Sequence, residues 1–145
     1  MKNILFICKH NVFRSKVAEA YFNKINKNKK INADSAGIIK ADIFGEKEKK
    51  LINFQRKTAK KFGINIVDGS KSLSVKLLKK QDIIIIVADD VPAYVFNNKF
   101  YLKPDLKIIK WNIPDVKGEK NDKAIIKKDT IKIIKKIDKL VKELR

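Results

Sequence analysis

The run from Ile83 to Val87, four isoleucines followed by a valine, is the feature that most restricts how this chain can fold. A strand without polar residues is buried on both faces, which is typical of parallel sheets. The run at 3–7 is also largely apolar. Parallel strands need long crossover connections, usually helices, so the sequence predicts a parallel sheet covered by helices.

Strand and helix patterns alternate along the rest of the chain. Strands are predicted at 3–7, 31–35, 82–87 and 106–111, and helices at 15–26, 46–62, 72–80 and from 122 to the end. Ser72 is the expected N-cap of the third helix, and Gly63 is expected to end the second. The order predicts an α/β fold, with one domain over 1–145 and a four-stranded parallel sheet with helices on both faces.

The chain is strongly basic, with a net charge of +19 over 145 residues. Only three of the 35 basic residues are arginines, and the lysines are dispersed. Proteins that recognise nucleic-acid sequence through the edges of the bases favour arginine, so nucleic acid is expected only as a non-specific contact. The charge is interpreted either as a solvated surface or as a field that attracts anionic substrates.

Cys8 is the single cysteine, so an intramolecular disulfide is excluded, as is common in a reducing compartment. The apolar run at 4–8 is too short for a signal peptide core, and no stretch approaches membrane-spanning length. We therefore expect a cytoplasmic protein without a membrane partner. One Cys and one His make no credible metal site, and no nucleotide cofactor motif is visible, so no cofactor is expected.

Cys8 opens a polar segment between the first predicted strand and the first predicted helix. Backbone N–H groups of such a loop, together with the helix N-terminus, stabilise a thiolate and can bind phosphate oxygens. Arg14 is placed to hold two oxygens with its planar fork, and Ser15 to donate a hydrogen bond to the thiolate. Asn11 is expected to brace the loop. The predicted substrate-binding residues are Lys9, His10, Asn11, Val12, Phe13 and Ser15. The spacing of Cys8 and Arg14 is by itself also compatible with a structural cysteine.

These residues resemble the low-molecular-weight protein tyrosine phosphatase superfamily, which includes arsenate reductases of the same fold. The resemblance extends over nearly the whole chain. It is carried by Ile4 to Cys8, Asn11, Arg14-Ser15, Ala18-Glu19-Ala20, Ser35-Ala36-Gly37, Gly63-Ile64, Ser70-Lys71, the strand at Asp82, and Trp111-Asn112-Ile113-Pro114-Asp115.

The resemblance implies a mechanism and its catalytic residues. Cys8 is expected to attack phosphorus and form a phosphocysteine, while Arg14 and the loop amides stabilise the phosphoryl oxygens. Asp115 is expected to protonate the leaving oxygen and then to activate water, although an ordinary loop aspartate is the alternative. Ser35 is expected to support the loop.

The chain also departs from the family pattern. His10 stands where the phosphatases usually have glycine, and it either contacts substrate or packs within the loop. Phe13 replaces a second cysteine that could protect an oxidised Cys8. Val116 follows Asp115 where proline is usual, and no aromatic residue comes soon after it. Phe44 is expected either to supply a different wall for the substrate or to be an ordinary apolar residue.

Three functions follow from these observations. The leading prediction is hydrolysis of phosphomonoesters, with phosphotyrosine in proteins as the expected substrate and a small phosphomonoester as the other. The second is arsenate reduction with an external thiol, because the segment at 87–92 lacks the resolving cysteines of thioredoxin-coupled reductases. The third is a basic module that binds phosphate groups or nucleic acid without turnover.

Overall fold

Four parallel strands form one sheet in the computed structural model, which describes residues 1–39, 45–67, 69–97, 101–116 and 121–144. The strands are β1 (Lys2–Cys8), β2 (Ile31–Gly37), β3 (Ile83–Val87) and β4 (Lys107–Trp111). Their order is β2-β1-β3-β4, and every pairing is parallel. The predicted four-stranded parallel sheet is therefore confirmed.

Among these residues, four α-helices connect or follow the strands: α1 (Arg14–Ile25), α2 (Glu46–Lys61), α3 (Val75–Lys79) and α4 (Asp122–Glu143). A short 3-10 helix, Ala93–Phe96, was not predicted, since four residues are too few to give a helical period. Within the described ranges, no helix combines the length and the apolar character needed to cross a membrane.

The two faces of the sheet carry separate apolar cores. Alternate side chains of β1 point to opposite faces, with Ile4 and Phe6 on one and Leu5 and Ile7 on the other. The first face is covered by α1, α2 and α4, and the second by α3 and the 3-10 helix. The predicted placement of helices on both faces is confirmed.

The strand order fixes where a ligand site is expected. β1 pairs with β2 on one side and with β3 on the other, so the order in which strands are added to the sheet reverses beside β1. Ligands of open parallel sheets bind beyond the carboxyl ends of the strands at such a switch point. Cys8 is the last residue of β1 and pairs with Gly37 at the end of β2, so it lies at this position.

The expected N-cap of α3 was wrong. The helix begins at Val75, and Ser74 caps it by accepting a hydrogen bond from the Leu77 N–H at 3.1 Å. Ser72 instead forms an isolated parallel bridge with Gly37, which continues the edge of β2. Because Ser72 and Leu73 take part in extended pairing, the N-cap lies two residues later than expected.

We expect Ser74→Ala to lower the free energy of unfolding by about 1 kcal/mol, because it leaves a helix N–H without its side-chain acceptor. Ser72→Ala is the matched control and should change stability by less than about 0.5 kcal/mol, since only its backbone bridges Gly37. Urea unfolding of both variants measures the difference. A larger loss from Ser72→Ala would contradict the assignment of the cap.

Candidate active site

Cys8 is buried at the carboxyl end of β1, with 2% of its surface exposed. Its Sγ lies 2.9 Å from Ser15 Oγ and accepts a hydrogen bond from the Asn11 N–H at 3.3 Å. The loop from 9 to 13 connects it to α1, which begins at Arg14. The sulfur therefore faces a hydroxyl, a backbone amide and a helix N-terminus, all of which stabilise a thiolate.

Asn11 holds the loop in an unusual backbone conformation. Its φ is +55°, the only positive value at a non-glycine residue within the described chain. Asparagine tolerates this left-handed region better than most residues. The side chain donates from Nδ2 to Ser15 Oγ at 2.8 Å and to Ser35 Oγ at 3.0 Å, and its Oδ1 accepts from the Lys71 N–H at 2.9 Å. Asn11 therefore braces the loop through two hydroxyls and one backbone group.

Gly37 allows the loop to lie directly on the end of β2. A Cβ at this position would stand 2.8 Å from both the Asn11 N and the His10 carbonyl carbon, which are backbone atoms that cannot move aside easily. The chain after Gly37 adds two hydrogen bonds, from the Ile38 N–H to the Cys8 carbonyl and from the Ile39 N–H to the Lys9 carbonyl. Glycine is required at position 37 because the backbone of the loop lies too close to leave room for a Cβ.

Ser35 connects the loop to α1. It accepts from Asn11 and donates from Oγ to Glu19 Oε1 at 2.6 Å. Burial raises the pKa of Glu19, while the hydrogen bond from Ser35 opposes the rise. Ser35 thus joins the Asn11 side chain in the loop to Glu19 on α1.

Arg14 is buried, with 4% of its surface exposed. Three carboxylates of the described part of the chain lie close to its guanidinium. Its Nη1 donates to Asp90 Oδ1 and to the Ile113 carbonyl, each at 3.0 Å. Asp89 Oδ1 lies 3.8 Å from Nη1, and Asp115 Oδ2 lies 3.7 Å from Nη2. A buried guanidinium needs such partners because desolvation of an unpaired charge is strongly unfavourable.

The charge of Arg14 is stabilised despite its burial. Desolvation lowers its pKa, but the negative charges of Cys8, Asp115 and Asp90 outweigh this effect and raise the pKa above its ordinary value. The guanidinium is therefore permanently charged beside the sulfur. A fixed positive charge in a water-poor site is a strong attractor for an anion.

Asp115 reaches the site from the segment after β4. Its Oδ1 accepts from the Val116 N–H at 2.8 Å, which orients the carboxyl group, and its Oδ2 faces Arg14. The side chain keeps 36% of its surface exposed. The structure thus brings together Cys8 and Arg14, at the two ends of one loop, and Asp115 from a distant part of the chain, and it leaves Asp115 open to solvent and ligands.

Asp89 and Asp90 were not singled out from the sequence as partners of Arg14. They follow β3 directly, at the edge of the sheet where Cys8 also lies. That location was the available signal, because parallel strands end at one common edge. Their role here is to hold the guanidinium, since Asp90 makes the shortest ion pair with Arg14 at 3.0 Å.

The remaining loop residues differ in what they present. Lys9, His10 and Val12 are partly exposed. His10 Nδ1 is buried and has no hydrogen-bond partner among the described residues. The Phe13 side chain packs in the core formed by α1 and α4, so only its backbone can face a bound anion. Phe44, expected to be a wall of the site, lies outside the described residues.

The residues at this edge do not form a metal site in the described ranges, where no group of three His, Cys, Asp or Glu side chains is arranged to hold an ion. The donors that converge near Cys8 are amides, hydroxyls and a guanidinium. Such a set binds anions, and phosphate or arsenate fits it chemically.

Comparisons with known proteins agree with this geometry. A family model described as low molecular weight phosphotyrosine protein phosphatase matches residues 3–144. A low molecular weight protein tyrosine phosphatase from T. tengcongensis is 26% identical, with a TM-score of 0.72 over 99% of each chain. An arsenate reductase from Archaeoglobus fulgidus is also 26% identical, with a TM-score of 0.63 over 95% of this chain and 98% of the other.

The YwlE arginine phosphatase from Geobacillus stearothermophilus shares the fold at 18% identity, with a TM-score of 0.73 over 99% of this chain and 93% of that protein. No curated protein matches the chain. The family model covers nearly all of the sequence, including every element that carries the site. The chain therefore belongs to the low molecular weight phosphotyrosine protein phosphatase family.

Proposed function

We propose that the protein is a cysteine-dependent phosphatase that hydrolyses phosphomonoesters through a phosphocysteine intermediate. The observation that carries the proposal is the convergence of Cys8, Arg14 and Asp115 at one sheet edge, with Arg14 Nη2 3.7 Å from Asp115 Oδ2. A nucleophile, an anion clamp and a proton donor are the groups that phosphoryl transfer needs.

In the first step, Cys8 Sγ attacks phosphorus, and the bond from phosphorus to the ester oxygen breaks. The leaving oxygen takes a proton from Asp115, whose partial exposure lets a substrate reach it. The loop N–H groups and Arg14 stabilise the charge on the phosphoryl oxygens. Both short bonds of Arg14 use Nη1. Nη2 makes only longer contacts, with Asp90 Oδ2 at 3.5 Å and Asp115 Oδ2 at 3.7 Å, so Nη2 is the nitrogen more readily offered to phosphate.

In the second step, Asp115 takes a proton from water, and the resulting nucleophile attacks phosphorus. The bond from sulfur to phosphorus breaks, and Cys8 leaves as a thiolate. Ser15 Oγ, 2.9 Å from Cys8 Sγ, accepts a hydrogen bond from Asn11 and can therefore direct its own proton to the sulfur. This hydrogen bond assists departure of the thiolate.

The proposed substrate is phosphotyrosine in proteins, with small phosphomonoesters as further substrates. The family match supports this choice, and the net charge of +19 favours approach of an anionic substrate. The chemistry requires Cys8 as a free thiol, which suits the reducing cytoplasm. The reaction uses no metal or cofactor in this scheme.

Arsenate reduction with an external thiol is the second candidate. It is favoured by the arsenate reductase from Archaeoglobus fulgidus, which is as similar in sequence as the tyrosine phosphatase. Arsenate would bind where phosphate binds. Cys8 Sγ would form a bond to arsenic while one arsenic–oxygen bond breaks and that oxygen leaves as water. Because Cys8 is the only cysteine, two electrons must then come from thiols outside the chain.

The pure protein is expected to hydrolyse para-nitrophenyl phosphate in the presence of a chelator, and Cys8→Ser to reduce the rate to background while inorganic phosphate still binds. The loss follows because a serine hydroxyl is a far weaker nucleophile than a thiolate. Absorbance of nitrophenolate gives the rate, and calorimetry gives phosphate binding.

If the wild-type protein is inactive although its Cys8 thiol is reduced, the phosphatase proposal is wrong. Activity with arsenate and added glutathione would then support the reductase. Phosphate binding without either activity would support a binding module that performs no turnover.

We expect Asp115→Asn to slow hydrolysis of phenyl phosphate by about 100-fold or more, because the poor leaving group requires protonation. Hydrolysis of a substrate with an acidic leaving phenol should fall less, by under about tenfold at the bond-breaking step. Burst kinetics separate that step from hydrolysis of the phosphocysteine. Equal losses for both leaving groups would argue against Asp115 as the acid.

A further inference from the structure

Asp129 is a buried carboxyl group that the mechanism above does not use. It lies on α4 with 2% of its surface exposed. Its Oδ2 is buried and has no hydrogen-bond partner within the described part of the chain. A buried polar atom without a partner is unfavourable, so its retention calls for a physical explanation.

The side of α4 that carries Asp129 packs against the segment that delivers Asp115. Lys132, three residues later and so on the same face, donates from Nζ to the Asn112 carbonyl at 3.1 Å. Ile126, three residues earlier, shares an apolar core with Ile113. The Ile113 carbonyl in turn accepts a hydrogen bond from Arg14. Through these contacts, the face of α4 that carries Asp129 is joined to the segment at 112–115, which contacts Arg14.

Among the described residues, four charged groups interact electrostatically with Asp129. They come from the elements packed around it: Arg14 at the start of α1, Lys132 on α4, Asp115 after β4 and Asp89 after β3. Burial raises the pKa of Asp129 to about 7; Arg14 and Lys132 oppose the rise, and the two carboxylates add to it. The carboxyl group therefore becomes charged close to neutral pH.

We propose that Asp129 is a positioning residue that acts through Arg14, weakening its hold on a bound anion when the Asp129 carboxyl group ionises. Arg14 already faces Asp89, Asp90 and Asp115. A fourth carboxylate that interacts with the guanidinium would further reduce its attraction for phosphate. A neutral Asp129 leaves that attraction intact. The proposal rests on Arg14 being the anion clamp of the proposed function.

Ionisation of Asp129 is also expected to lower the stability of the folded protein. The pKa of Asp129 is higher in the folded protein than its ordinary value near 4, so the folded state binds its proton more tightly. This contribution is present at low pH and is lost as the pH rises from about 4 through about 7. Asp129→Asn, which stays neutral, should remove this loss and fold at least as stably at alkaline pH.

The test measures sulfate binding by calorimetry between about pH 5.5 and about pH 8.5, a range that brackets the Asp129 titration and in which sulfate stays a dianion. The protein is Cys8→Ser, so the thiol does not titrate, and His10 is common to all variants. Affinity is expected to fall as Asp129 ionises. When Asp129→Asn is added to Cys8→Ser, the fall in sulfate affinity across this pH range should be smaller by a factor of about three or more.

Asp105→Asn in the Cys8→Ser protein is the control for net charge. Asp105 is exposed and precedes β4, so it lies toward the opposite edge of the sheet, and its removal should leave the pH dependence unchanged. Identical pH profiles with and without Asp129→Asn would overturn the proposal. Failure of Cys8→Ser to bind sulfate at every pH would instead overturn the anion clamp itself, and this proposal with it.

A carboxyl NMR titration tests the same coupling without a change at Asp129. By thermodynamic linkage, saturating sulfate must raise the titration midpoint of Asp129 in the Cys8→Ser protein if ionisation of Asp129 weakens sulfate binding. A midpoint that is the same with and without sulfate would overturn the proposal, whether or not Asp129→Asn folds.

Discussion

The pairing of the buried Arg14 guanidinium with carboxylates from two separate loops is the interaction on which the site depends. Asp89 and Asp90 approach from the end of β3, and Asp115 approaches from the end of β4. One charge therefore draws the ends of two strands toward the loop that begins at Cys8. Since burial of the guanidinium would otherwise be unfavourable, these pairs stabilise the charge that is proposed to receive phosphate.

The loop itself is held by geometric constraints that do not involve charge. Asn11 adopts a positive φ and joins Ser15, Ser35 and the Lys71 N–H, while Gly37 allows close backbone contact from β2. These bonds keep the amide of Asn11 directed at Cys8 Sγ before any anion arrives. Such preorganisation is what electrostatic catalysis requires, because donors already in place need no rearrangement during the reaction.

The parts that the sequence predicted are those governed by local pattern. The apolar run at 83–87 required a buried parallel strand, and the spacing of Ile126, Ile133 and Ile137 required an amphipathic α4. Cys8 and Arg14 were found because Arg14 follows Cys8 by six positions and Cys8 comes directly after an apolar strand. The ion pair of Arg14 with Asp90 spans 76 residues, and no local rule indicates which of several acidic residues closes it.

The burial of Asp129 could have been predicted from the sequence but was not. It lies three residues after Ile126 and four before Ile133, so helical spacing alone places a carboxylate on the buried face of α4. The cap of α3 could not be decided in this way, because both Ser72 and Ser74 suit an N-cap. Pairing of Ser72 with Gly37, which is a long-range contact, determined the outcome.

Whether Cys8 carries the phosphoryl group can be measured by rapid acid quenching of the enzyme with para-nitrophenyl phosphate, followed by mass spectrometry of its peptides. We expect phosphate on the peptide that contains Cys8, appearing together with the burst of nitrophenolate. A burst with no phosphate on Cys8, or with phosphate on another residue, would contradict it.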